Sequence, residues 1–358
     1  MTDINTQIEN IEKEIRETPY HKATEHHIGR LRARLSHLKS KQFEIKTKKG
    51  GSRIGYAVKK QGDATVCLVG APSVGKSTLL NKLTNAKSKV APYEFTTLSV
   101  IPGMMEYKNA KIQILDVPGL IEGAEIGKGR GREVLSVIRG SDLLILLCDI
   151  NKIDSFSKIQ KSLEKNGIKI NQTPPRVTIE KKLKGGIQII SSVKQELSNR
   201  TIIEIANEFR IVNADIVIKE KLSIESLVDA FSQNKAYVDA IYAVNKIDLN
   251  KQLESETNNS YLYISAEEGI NLDKLKEEIW KRLCFIRVYL VKKYEKPNEN
   301  NPLIMREGDT LCDVAKKISD DFINEKNRAT IWGPGSKFPG QEVSLSREIK
   351  EGMQIRFI

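Results

Sequence analysis

Isoleucines recur at positions 4, 8, 11 and 15, the spacing of one apolar stripe on a helix. Thr18-Pro19 then gives a capping residue followed by proline, which suits the end of one helix and the start of another. In the second helix Ile28, Leu31, Leu35 and Leu38 form a stripe, while Arg30, Arg32, Arg34, Lys39 and Lys41 crowd the remaining surface. Residues 1–60 therefore read as an N-terminal helical hairpin with a basic second helix, whose charged surface either packs on a neighbouring domain or meets RNA. From Ala64 short apolar runs alternate with helical stretches: ATVCLVG, STLLNKL, KIQILDV, DLLILLCDI and later AIYAVNKID. This is the rhythm of a parallel α/β sheet.

About ninety residues separate the strand ending near Ile150 from the one starting near Ala240, far more than an ordinary connection needs. The interval holds strand-like pieces (RVTIEKKL, GIQIISSV), a helical piece (ELSNRTIIEIANEFR) and IVNADIVIK, which predicts a small α+β domain inserted at 169–236. The interrupted α/β domain then covers 61–168 and 237–284. After Trp280 the pattern resets to RVYLV, PLIM, a helix opened by Gly308-Asp309-Thr310, and GMQIRFI; residues 285–358 read as a separate β-rich domain of grasp-like layout.

Apolar residues make up 39% and charged residues 29% of the 358, an ordinary globular composition that excludes a disordered chain. The longest apolar run, Leu143 to Cys148, falls far short of the roughly 20 residues of a membrane span. The N-terminus also lacks the basic-then-apolar layout of a signal peptide, so a cytoplasmic protein without a membrane partner is expected; a monomer is expected as well. Cys67, Cys148, Cys284 and Cys312 stand singly among apolar neighbours and read as buried thiols in a reducing compartment. The four histidines, His21, His26, His27 and His37, have no accompanying ligand cluster at metal-binding spacing. A net charge of +12 favours anionic partners, with the ribosome or RNA as the expected one.

Gly70-Ala71-Pro72-Ser73-Val74-Gly75-Lys76-Ser77 matches GxxxxGK[ST] and stands after a strand and before a helix, as a phosphate loop must. Backbone N–H groups and the helix dipole would cradle phosphates, Lys76 would neutralise β/γ oxygens, and the Ser77 hydroxyl would ligate Mg2+. Asp116-Val117-Pro118-Gly119 follows the strand KIQIL, with its carboxylate placed to hold Mg2+ through water and its glycine to turn an N–H towards a γ-phosphate. Between the two, Phe95-Thr96-Thr97 lies in a polar connection where a threonine hydroxyl, Thr97 in preference to Thr96, could reach the metal in the ordered state of a switch loop. Lys76, Thr97 and Gly119 are thus the candidate catalytic residues, and Ser77, Thr97 and Asp116 the candidate metal ligands.

Two NKID tetrapeptides compete to read the base, Asn151 to Asp154 and Asn245 to Asp248. An aspartate there accepts from both N1–H and the exocyclic amine of guanine, a donor pair that adenine lacks, so the motif selects GTP and GDP. The second copy closes the strand AIYAV and is followed by Ser265-Ala266-Glu267, a loop whose backbone could reach the guanine oxygen. The first comes one strand early without such a loop. Asn245, Lys246 and Asp248 are therefore the expected base readers, and the first copy a solvated loop and helix start.

Together these residues resemble the translational GTPases of the Obg superfamily and, within it, the DRG (developmentally regulated GTP-binding) proteins, of archaeal type. The stretches that carry the resemblance are KATEHHIGRLRARL, GAPSVGKSTLLNKLT, YEFTTL, DVPGLIEGA, GKGRGREVLS, NKID with SAE, and WGPGSKFPGQ. The resemblance covers nearly the whole chain. It implies a helical N-terminal domain, a P-loop GTPase domain interrupted by a small domain of ribosomal-protein-like fold, and a C-terminal TGS domain of ubiquitin-like β-grasp shape. It also implies phosphate and magnesium roles across Gly70 to Thr78, across Phe95, Thr96, Thr97, Leu98 and Ser99, and across Asp116, Val117, Pro118 and Gly119. Guanine contacts carry over to Asn245 through Asp248 and to Ser265, Ala266 and Glu267.

In Ras-like GTPases a glutamine after DxxG orients the attacking water; here Leu120 stands there and cannot, which predicts slow intrinsic turnover that depends on a partner, a cation or another side chain. Related GTPases hold K+ partly through a phosphate-loop asparagine, a position occupied by Ser73, which puts potassium stimulation in question. Gly127-Lys128-Gly129-Arg130-Gly131-Arg132 reads either as a switch carrying an arginine to the γ-phosphate or as a surface loop. Trp332, Lys337 and Phe338 either stack on bases or pack their loop onto its own sheet. The rival readings are a non-enzymatic ribosome- or RNA-binding module that uses GTP structurally, and an ATP-using P-loop enzyme, with which the NKID and SAE pair conflicts.

Overall fold

The computed structural model describes residues 4–48, 60–84, 101–117, 130–232, 234–249, 261–292, 294–296, 298–319 and 327–358. In chain order the elements are α1 (Ile4–Glu17), α2 (Glu25–Lys48), β1 (Ala64–Gly70), α3 (Lys76–Leu83), β2 (Ile101–Tyr107), β3 (Ala110–Asp116), α4 (Arg130–Gly140), β4 (Leu143–Asp149), α5 (Ser155–Lys165) and β5 (Ile168–Ile170). There follow β6 (Val177–Lys181), β7 (Ile187–Ser191), α6 (Asn199–Glu208), β8 (Ala214–Ile218), α7 (Ile224–Phe231), β9 (Ala236–Asn245), β10 (Leu262–Tyr263) and α8 (Leu272–Arg282). The last are β11 (Phe285–Leu290), β12 (Pro302–Arg306), α9 (Leu311–Ile318), β13 (Arg328–Trp332), β14 (Gln341–Ser344) and β15 (Gln354–Phe357). Among the described residues no helix is long and apolar enough to cross a membrane.

The chain divides into two compact units, the first made of residues 1–56, 124–139 and 160–238. Its three-stranded sheet runs β6-β8-β7, with β6 antiparallel and β7 parallel to β8. The predicted apolar stripe of α2 serves two partners. Leu31, Leu35 and Leu38 meet Ile8, Ile11 and Ile15 of α1, whereas Ile28 joins Ile202 and Ile205 of α6, Ile216 of β8, and Leu227 and Phe231 of α7. Gly29 lies where α2 meets α6: a Cβ there would sit 3.1 Å from Ile205 Cδ1 and 3.2 Å from Thr201 Cγ2. Buried Glu25 closes the same junction, accepting from the Ser198 N–H at 3.0 Å and the Thr201 hydroxyl at 2.7 Å at the start of α6, while Lys22 donates to its other oxygen at 2.7 Å. Burial would raise this carboxyl, but the hydrogen bonds from Lys22, Ser198 and Thr201 outweigh it and hold it at about 2.

The second unit holds residues 57–123, 140–159 and 239–358. Its main sheet runs β10-β9-β4-β1-β3-β2; β1 lies wholly buried between β3 and β4, and all pairs are parallel except β2 with β3. The antiparallel edge strand β2 is not among the strand runs read from the sequence. Lys108 and Asn109, at φ 49° and 70°, form a two-residue connection of the type that favours a hairpin. In the first unit β5 pairs in parallel with Ala236, Tyr237 and Val238 at the start of β9.

Residues 285–357 form a five-stranded sheet of order β12-β11-β15-β13-β14, covered by α9, whose Leu311, Val314 and Ala315 pack with Val288, Ile331 and Ile355. Thr310 and Asp313 cap that helix reciprocally, with the Thr310 N–H donating to Asp313 Oδ2 at 3.0 Å. This domain shares a core with the main sheet through Phe285 and Ile304, and is pinned by Arg306 to Asp142 at 3.1 Å and Lys317 to Asp63 at 2.9 Å. Not all four thiols are buried as expected: Cys67 and Cys148 are, but Cys312 is half-buried on α9 and Cys284 is exposed. Cys284 takes a left-handed φ of 53° just past the end of α8, a turn position that faces out of the core.

Candidate nucleotide-binding site

The loop between β1 and α3 owes its shape to two left-handed residues, Ser73 at φ 60° and Gly75 at φ 94°, which let successive N–H groups turn inward ahead of the helix. Glycine is required twice by crowding as well: a Cβ on Gly70 would lie 2.4 Å from the Leu147 carbonyl oxygen, and one on Gly75 2.4 Å from Asn245 Nδ2. Lys76 is buried and curls across the loop, its Nζ donating to the carbonyls of Gly70 at 3.0 Å and Ala71 at 2.9 Å. Burial pushes its ammonium below the ordinary value, and nearby Asp116 partly pulls it back.

At the carboxyl end of β3, buried Asp116 accepts from the Ser77 hydroxyl at 2.6 Å. The Ser77 hydroxyl at the start of α3 and the Asp116 carboxylate at the end of β3 are two hard oxygen donors side by side, of the kind suited to Mg2+. Val117 is buried behind them. Phe95, Thr96, Thr97, Leu98, Ser99, Pro118, Gly119, Leu120 and residues 127–129 lie outside the described residues, as do the side chains of Arg130 and Arg132.

The two NKID copies separate by register. β4 and β9 run parallel with Asp149 opposite Asn245, so Asn245 is the last residue of its strand while Asn151 falls two residues beyond its own, in a 3-10 turn at Ile150–Lys152. Buried Asn245 is a strut: its Nδ2 donates to the Val74 carbonyl at 2.8 Å and its Oδ1 accepts from the Ala266 N–H at 2.9 Å. It thereby ties the phosphate loop to the 265–267 loop. Ser265 donates to Asp248 Oδ1 at 2.5 Å and receives the Glu268 N–H at 3.1 Å; Glu267 is exposed. Asn151 and Asp154 are exposed, and the Asn151 N–H is taken by Asp149.

Sequence reasoning missed the side chain that meets Lys246. Lys246 takes φ 66°, a conformation costing about 1 kcal/mol for a residue with a Cβ, and its Nζ lies 2.9 Å from Asp149 Oδ2. The signal available was an aspartate at the carboxyl end of the neighbouring parallel strand. In the C-terminal domain Arg356 stacks over Trp332 at 5.1 Å, which holds that ring against its own sheet, while Phe338 is exposed.

Comparison with known proteins finds GTP-binding proteins as relatives over nearly the whole chain. An uncharacterized GTP-binding protein of Methanocaldococcus jannaschii is 48% identical, covering 98% of this chain and 91% of that protein. Developmentally-regulated G-protein 3 of Arabidopsis thaliana is 41% identical (98% and 97%), and Developmentally-regulated GTP-binding protein 2 of Homo sapiens is 36% identical (98% and 98%). The chain belongs to the DRG family of GTP-binding proteins. This DRG protein matches the family described as 50S ribosome-binding GTPase over residues 65–182, the C-terminal region of that domain over 184–285, and the TGS domain over 286–358. It is a GTP-binding protein of the Obg-related superfamily, with a P-loop GTPase domain, an inserted extension domain and a C-terminal TGS domain.

Proposed function

We propose that this DRG protein hydrolyses GTP to GDP and phosphate as a conformational switch acting with the ribosome or its RNA. The observation that carries the reading is the Asn245 strut, which joins the phosphate loop to the 265–267 loop through two hydrogen bonds. In this reading Gly70 to Thr78 cradle the phosphates, Lys76 moves from the Gly70 and Ala71 carbonyls to β/γ oxygens, and Asp248 with the 265–267 loop reads guanine. Ser77, Asp116 and Thr97 would hold Mg2+, which when bound neutralises charge on the phosphate oxygens. Thr97 and Gly119 would sense the γ-phosphate, and Leu120 would leave the intrinsic rate slow for want of a water-orienting side chain. The division into domains at 1–60, 61–168 with 237–284, 169–236 and 285–358 belongs to the same proposal.

The ribosomal part draws support from the description of the matching family and from a basic groove in the first unit. A cavity of about 580 Å³ is lined by Arg30, Arg34 and His37 of α2 and by Arg210, with Glu204 and Glu208 of α6. Arg34 and Arg210 make no ion pair among the described residues, whereas Arg32 and Lys39 are engaged by Glu225 and Glu12. Unpaired guanidinium groups in a groove suit a phosphate backbone.

The test is phosphate release under multiple turnover, with and without purified ribosomes, in potassium and in sodium, against Lys76→Ala. Stimulation by ribosomes is the expected result, and a rate no higher than Lys76→Ala under every condition refutes hydrolysis. Base choice is tested in the same assay: Asp248→Asn shifts preference from GTP towards xanthosine triphosphate, and Asp154→Asn in the first NKID copy changes nothing.

A further inference from the structure

We infer that Asp149 is a positioning residue for guanine-nucleotide recognition: from the neighbouring strand it fixes the side chain of Lys246, two positions before Asp248, which is proposed to read the base. The inference rests on the nucleotide-site reading above. Asp149 divides its two oxygens. Oδ1 accepts from the Asn151 N–H at 3.1 Å and side-chain amide at 3.3 Å, which orients the carboxylate, and Oδ2 meets Lys246 Nζ at 2.9 Å. The parallel register sets Asp149 opposite Asn245, so its carboxylate lies one residue from the ammonium it holds.

Everything on either side of Lys246 is fastened by other contacts. Asn245 is bonded to Val74 and Ala266, the Ile247 N–H donates to the Ile264 carbonyl at 3.3 Å, and Asp248 is held by Ser265. The Lys246 backbone is left-handed, so the strand end is bent to aim this long side chain, and the ion pair with Asp149 is the contact that fixes where it ends. The Asp149 side chain is about four-fifths buried and the Lys246 side chain about two-thirds, so their attraction is less screened than in a surface pair. Burial would raise the Asp149 carboxyl, but Lys246 and the Asn151 N–H hold it below the ordinary carboxylate range, so it is charged at neutral pH. A lysine fixed before the nucleotide arrives loses no rotamer freedom on binding, which is the gain expected of preorganisation. The stretch that opens the unused NKID copy thus acquires a purpose: its 3-10 turn orients the aspartate that serves the used one.

The test measures GTP and GDP affinity by titration calorimetry for the full chain carrying Asp149→Ala, Asp149→Asn, Lys246→Met and the double Asp149→Ala/Lys246→Met. Asp149→Ala is expected to weaken GTP and GDP by the same factor, about tenfold, and Asp149→Asn by about threefold, because the amide keeps the shape and an acceptor but not the charge. Adding Lys246→Met to Asp149→Ala should cost no more than about twofold further, the coupling expected of a pair acting as one unit. Equal loss for both nucleotides places the defect on the base side and away from the γ-phosphate. Losses that multiply in the double variant, or a loss seen only in Asp149→Ala and matched by a lower melting temperature, make Asp149 a strand-end cap and overturn the inference. If Asp248→Asn abolishes guanine preference while Asp149→Ala is neutral, the bracing alone fails. If Asp248→Asn is neutral, the site reading fails and the bracing with it.

Discussion

Replacing Glu25 by glutamine isolates the charge that closes the junction of α2 with α6. An ordinary glutamate carboxyl titrates at 4.5, and here hydrogen bonds from Lys22, Ser198 and Thr201, opposed by burial, hold it at about 2. At about 1.36 kcal/mol per pH unit, that difference corresponds to about 3 kcal/mol of folding stability. The carboxyl is lower in the folded than in the unfolded chain, so the contribution is complete above about pH 4.5 and drains away as pH falls from there towards 2. Trp280 and Trp332, the two tryptophans, both lie in the second unit, so fluorescence would not report this junction. Hydrogen–deuterium exchange of the α6 amides does, after correction for the intrinsic pH dependence of exchange. The wild type should be more protected than Glu25→Gln by about 3 kcal/mol at pH 6.5 and by almost nothing at pH 2. A protection difference that stays constant across that range would refute the argument, since it would show that the carboxyl ionises alike in the folded and unfolded chains.

Two further substitutions probe close packing. Gly75→Ala must place a Cβ 2.4 Å from Asn245 Nδ2 at a φ of 94°, which displaces the strut and strains the loop; GTP affinity by calorimetry should fall at least about thirtyfold, equivalent to about 2 kcal/mol. Gly29→Leu overfills the meeting of α2 with α6 against Ile205 and Thr201, and should lower protection of α6 by about 1–3 kcal/mol in the same exchange experiment while leaving nucleotide affinity unchanged.

The sequence by itself determined those parts of the protein that are contiguous. The phosphate loop needs eight neighbouring residues between one strand and one helix, and its glycines, lysine and serine can be read from that run alone because the chemistry is local. The same holds for the paired helices of the N-terminus, the strand pieces of the insert and the capped helix α9, where period and capping residues act within a few positions. Tertiary structure decided what depends on distant segments meeting. The two NKID tetrapeptides are identical in composition, and only the β4–β9 register shows why Asn245 reaches Val74 and Ala266 while Asn151 overshoots its strand by two residues. The basic helix α2 offered packing or RNA contact; in the folded chain it splits, with Arg32 and Lys39 paired to Glu225 and Glu12 and Arg30 and Arg34 left at a groove. The meeting of Asp149 with Lys246, ninety-seven positions apart by their numbers, carries no sequence period at all. It exists because parallel strands bring their carboxyl ends to one edge of the sheet, and that edge is where residues from separate stretches of chain converge.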